Sequence, residues 1–126
     1  MTRIALILNG AIMTIIGLNA LIRPEAFLGQ YGVQLPSAMA LAEARSIHGG
    51  GFLAMAILMW LGLARRRFRV IAVGAAAFMM TGMALGRLFG VVAGGATAPL
   101  TLIATFAEAL LGGVAFAGLA REKATG

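Results

Sequence analysis

Four long apolar runs, residues 4–22, 37–64, 70–93 and 99–120, account for most of this 126-residue chain, and only short punctuation separates them. At ~1.5 Å of rise per helical residue, each run is long enough to cross a hydrocarbon layer ~30 Å thick. A soluble globule of this size would need far more polar surface than a sequence that is 61% hydrophobic and 11% charged can supply. The pattern predicts an all-α fold, a four-transmembrane-helix bundle forming one integral membrane domain over residues 1–126.

The punctuation sets the ends. Pro24 disfavours helix at Arg23 and can open only a new first turn. Pro36-Ser37 reads as a start, Arg65-Arg66-Arg67-Phe68-Arg69 as a five-residue connection, Gly94-Gly95 as a break and Pro99 as the last start. Only the 23–37 connection is long enough for structure of its own. Its Phe27, Leu28, Tyr31 and Val33 predict a short interfacial helix, with Tyr31 suited to the headgroup layer. The first run begins like a secretory signal, yet it is long and no small-residue cleavage site precedes a soluble domain, so it is expected to remain as a helix.

Charge sets the orientation. Arg3, Arg65, Arg66, Arg67, Arg69, Arg121 and Lys123 fall on one side of the expected bundle and Arg23 alone on the other. That bias puts both termini of a multi-pass membrane protein in the cytoplasm. Despite a net charge of +6, the short basic connection lacks the area of a nucleic-acid platform, so no nucleic-acid partner is expected. The lipid bilayer is the expected partner, with a homo-oligomer or larger membrane complex left open. The absence of cysteine excludes disulfides, thiolate metal sites and dithiol exchange.

Five ionisable side chains lie inside the apolar runs: Glu43, Arg45, His48, Arg87 and Glu108. A charge in mid-membrane costs ~2.5–3.5 kcal/mol even on insertion scales, so it normally has a partner and a purpose. Measured from Pro36, Gly94 and Pro99 as outer ends, Glu43 lies ~10 Å deep, Arg45 ~13 Å, His48 ~18 Å, Arg87 ~10 Å and Glu108 ~13 Å. With neutral His48 the set has no net charge, as a self-compensating buried cluster would. At ~100° per residue Arg45 and His48 share a face while Glu43 lies ~200° from Arg45. The preferred pairing is Arg45 with Glu108 and Glu43 with Arg87; the reverse is nearly as well supported. One His and two Glu beside cations make a poor metal cage, so no metal site is expected.

Glycine spacing bears on packing. Gly82, Gly86, Gly90 and Gly94 repeat every four residues on the third run, and Ala104, Glu108 and Gly112 form a small-polar-small row on the fourth. The third helix is expected to meet a neighbour most closely at Gly86 and Gly90. Gly49-Gly50-Gly51, directly after His48, would loosen a helix, clear space for a ligand or serve backbone packing. Asn9 and Asn19 are expected to donate between helices, the eight methionines to act as adaptable filling, and Trp60 to anchor at the interface.

Glu43-Ala44-Arg45-Ser46-Ile47-His48-Gly49-Gly50, with Gly86-Arg87 and Glu108, resembles a bacterial family of small four-helix membrane proteins catalogued only as a domain of unknown function. That family is similar to the DoxX-like proteins, some of which are associated with quinone-linked oxidoreductases. The resemblance spans nearly the whole chain and implies the same architecture and a site at these residues. It does not extend to His48, where an aromatic residue, usually Tyr, is the expected occupant, so no role for a ring hydroxyl carries over.

Three function classes follow. The first is a binding or accessory protein holding a small amphipathic or anionic molecule, quinone- or lipid-like, against Arg45, Arg87 and His48. The second is a structural subunit whose ion pairs specify helix packing. The third, an enzyme using Glu43 or Glu108 as proton acceptor, ranks last because no nucleophile, phosphate-loop or metal motif supports it; no catalytic residue and no cofactor is assigned.

Overall fold

The computed structural model describes residues 1–124; Thr125 and Gly126, and with them the C-terminus assigned above to the cytoplasm, lie outside the described residues. Its helices are α1 (Thr2–Ile22), α2 (Pro24–Gly29), α3 (Ala38–Ala64), α4 (Arg66–Gly94) and α5 (Pro99–Ala124). All but α2 are long and apolar enough to cross a membrane, so the chain is a multi-pass, four-helix membrane bundle with one short extra helix between α1 and α3.

Local chemistry explains the ends. Ser37 is extended and its Oγ accepts from the Ala40 N–H at 3.1 Å, satisfying one of the free donors at the start of α3. Gly95 closes α4 at φ 65°, a left-handed conformation that glycine adopts without a Cβ penalty, and the Ala96 N–H bonds back to the Gly90 carbonyl. The basic run departs from the sequence expectation. Only Arg65 leaves the helix, and Arg66 to Arg69 form the first turn of α4. Arginine is a good helix former, and nothing in this run interrupts helical hydrogen bonding, so the connection shrinks to one residue.

The bundle is dense at the end near Arg65. Leu6, Met59, Ala72, Val73, Ala76 and Ala115 are fully buried together there, and the Thr2 hydroxyl donates to the Gly118 carbonyl at 3.0 Å. A second cluster, Met13, Phe52, Ala56, Met80 and Leu111, sits above it toward α2. Small residues bring the backbones close, but not where spacing suggested. A Cβ on Gly82, Gly86 or Gly90 would meet nothing within 4 Å. Gly82 lies about 200° around α4 from buried Met80, on the outward side. The α4–α5 contact is carried instead by Gly112, where a Cβ would stand 2.6 Å from Thr81 Oγ1 and 3.2 Å from its backbone N. Alanines 72, 76 and 77 face inward on α4.

Both asparagines also differ from expectation. Asn9 donates to the Ala5 carbonyl at 2.9 Å and Asn19 to the Ile15 carbonyl at 3.0 Å, both within α1, because a short amide reaches the preceding turn of its own helix first. Trp60 fastens α3 to α1: its Nε1 donates to Thr14 Oγ1 at 3.2 Å, and its ring lies against Gly10.

Candidate functional site

Within α3, residues Arg45–Gly51 form a π-helix. Gly49 draws this segment onto α1, where a Cβ would stand 3.0 Å from the Leu21 Cα. A π turn, closed by i to i+5 bonds, advances less than an α turn per residue, so Arg45 and His48 no longer share the face that uniform helical arithmetic assigned. Arg45 is exposed and its Nε donates to the Leu21 carbonyl at 3.2 Å. It therefore caps one of the free carbonyls at the end of α1, where a cation also suits the helix dipole. Glu43 is exposed and makes no ion pair among the described residues.

The five residues consequently do not form one charge cluster, and the preferred pairing is corrected. Arg87 pairs with Glu108: its Nε donates to both carboxylate oxygens, at 3.0 and 2.9 Å. Arg87 lies about 20° around α4 from buried Met80, so it faces inward, while Glu108 is buried on α5. Similar depth brought these two together because their faces also agree; Glu43 and Arg45 have the depth without the face.

The pair sits at the polar end of a cavity of about 780 Å³ between the four long helices, in the half of the bundle farthest from Arg65. That volume lies within the ~300–1,000 Å³ usual for small-molecule sites. Ile12 and Ile16 of α1, Met55 of α3, Met79 and Met83 of α4 and Ala104 of α5 make its wall, and Phe52, Met80 and Leu111 close its floor. Its polar groups are few: Arg87, Glu108, Tyr31, His48 and Thr101. The Arg87 guanidinium carbon lies 5.3 Å from the centre of the Tyr31 ring, within cation–π range. Phe27 meets both Tyr31 and His48 edge-on or tilted, and His48 lies parallel to Phe52 at 6.3 Å between ring centres. The His48 Nδ1 is buried and has no hydrogen-bond partner among the described residues.

Of the residues singled out from sequence, His48, Arg87 and Glu108 line one cavity, Gly112 packs α5 against α4, and Glu43, Arg45, Gly82, Gly86 and Gly90 lie elsewhere. The sequence alone identifies Tyr31 only as an interfacial residue. Its signal was faint, an aromatic ring in an otherwise ordinary connection. Met79, Met83 and Arg87 recur every four residues, which marks one helical face, and that row was legible.

The chain belongs to the family described as Domain of unknown function (DUF4345), whose model matches residues 1–119. No curated protein and no solved structure matches it.

Proposed function

We propose that this protein binds a small amphipathic molecule, quinone- or lipid-like, with its apolar body against the methionine and isoleucine walls and its polar head at Arg87 and Glu108. One observation carries the reading: a cavity of ligand size whose wall is apolar except for one ion pair, two polar rings and Thr101. Few, convergent polar groups on an apolar wall are what orient a small ligand. Methionine walls adapt to varied shapes.

The head group can be narrowed. Arg45 lies outside the cavity and Arg87 is already neutralised by Glu108, so the site has no net charge to offer an anion. The bridge uses Nε alone, which leaves the four Nη hydrogens uncommitted to Glu108. An uncharged head bearing carbonyl or hydroxyl oxygens fits this arrangement better than a carboxylate or phosphate. Kinship with the DoxX-like proteins, residence in a bacterial inner membrane and cytoplasmic termini complete the proposal.

The test is native mass spectrometry of protein released from membranes, with monoolein as a defined neutral amphiphile. Wild type should retain it, and Ala104→Phe, which fills the cavity, should not. Equal retention by both would remove the site. A second reading, a purely structural ion pair, draws on the fact that Arg87–Glu108 ties α4 to α5; it requires that wild type retain no amphiphile at all.

A further inference from the structure

The cavity has a floor and a roof. Its floor is Phe52, Met80 and Leu111, from the buried cluster that also holds Met13. Over its other end lie α2 and the residues after it, with Leu28 buried and Phe27 in ring contact with Tyr31 and His48. Side chains of the bundle and of the α2 segment thus lie over the two ends of the cavity.

The side is different. Gly49 and Arg45 hold the π-helical segment against α1, at Leu21. The close packing between α3 and α4 falls lower, within Phe52–Ala64, where a Cβ on Gly62 would meet the Ala72 Cβ at 2.5 Å. Above that contact, cavity-lining residues reach the outer surface of the bundle. Ile47 is 59% exposed, Gly51 is exposed, and the Arg87 side chain keeps 28% of its surface. Ile47 and Gly51 lie on α3, Arg87 across the gap on α4. At about 1.5 Å per residue, Arg87 is ~10 Å below the end of α4, which is hydrocarbon depth in a spanning helix.

We infer that the cavity opens sideways between α3 and α4 into the leaflet on the α2 side, and that its ligand is an amphiphile resident in that leaflet rather than a molecule delivered from water. This rests on the binding reading above and adds to it the source and route of the ligand. An ion pair at the rim of a lateral opening suits such a molecule, because the partly exposed Arg87 offers hydrogen bonds to its polar head while its chain lies in the methionine-lined interior. Gly51 is the telling residue at the rim. A Cβ there meets only the Ser46 carbonyl, at 3.8 Å, so a larger side chain is accommodated by the fold while obstructing the opening.

The test separates route from binding. Protein in phosphatidylcholine vesicles is loaded with monoolein and mixed with vesicles carrying deuterated monoolein, and exchange is followed by native mass spectrometry. Gly51→Leu and Ile47→Trp should slow exchange about tenfold or more, since a gate changes entry and exit alike and occupancy less than rate. Gln30→Trp, at a residue that lines the polar depression between α1 and α2 but not the cavity, should exchange at the wild-type rate. Wild-type exchange in both rim variants overturns the inference, and slowing by Gln30→Trp would assign the route elsewhere and overturn it too. If wild type binds no monoolein, the binding reading fails and the route with it; bound monoolein with an unaltered rate refutes the route alone.

Discussion

Arg87 reaches Glu108 through a single nitrogen, its Nε donating to both carboxylate oxygens at 3.0 and 2.9 Å across the α4–α5 contact. Removing one partner of such a pair strands the other charge, whereas removing both does not. The cost of Arg87→Met should fall between the ~1 kcal/mol of an exposed pair and the ~3–5 kcal/mol of a fully buried one, because the Arg87 side chain keeps 28% of its surface. Arg87→Met combined with Glu108→Gln should recover much of that loss in denaturant titrations in detergent. Combination with Glu43→Gln should recover none, and rescue by Glu43→Gln would show that the pairing is wrong.

Glycine positions on two helices should respond oppositely. Gly112→Leu drives a side chain into Thr81 and should destabilise the bundle by ~1–3 kcal/mol, the usual range for overpacking. Gly86→Leu meets open space and should leave thermal stability unchanged or slightly higher, since glycine is a poor helix former. Loss of stability in Gly86→Leu would indicate a neighbour on that face.

Filling the cavity should separate stability from binding. Ala104→Phe occupies space bounded by Met79 and Met83 rather than packed core, so the folded bundle should stay within ~1 kcal/mol of wild type or gain up to ~2 kcal/mol, as cavity-filling changes commonly do. Unfolding of this variant at wild-type conditions would mean that the cavity collapses into a packed core in solution.

Topology is open to direct labelling because the chain has no cysteine. Gln30→Cys, after α2, should react in intact cells with a membrane-impermeant maleimide, and Arg66→Cys, beside the basic turn, only after lysis. The reversed pattern would invert the proposed orientation.

Apart from the basic turn, the elements and their ends were legible in the sequence. Apolar length required four spanning helices, Ser37 started α3, Gly95 ended α4, and Pro24 separated α1 from a short helix. These are local effects, fixed by hydrogen-bond supply and backbone conformation within a few residues. It also marked Arg87, Glu108 and His48 as costly enough to need a role.

Which charges meet was decided by tertiary structure alone. Depth is additive along a helix and survives small irregularities, but facing is an angle, and a single π turn at Arg45–Gly51 redirected everything beyond it. Arg45, at the start of that turn, meets the end of α1, and His48, within it, lines the cavity. The same limit applies to Gly82, Gly86 and Gly90, whose spacing identified a row of small residues without saying which side of α4 faces α5. Neither helix contains that information alone, because a contact face is a property of the pair, set where Gly112 and Thr81 allow the two backbones to approach.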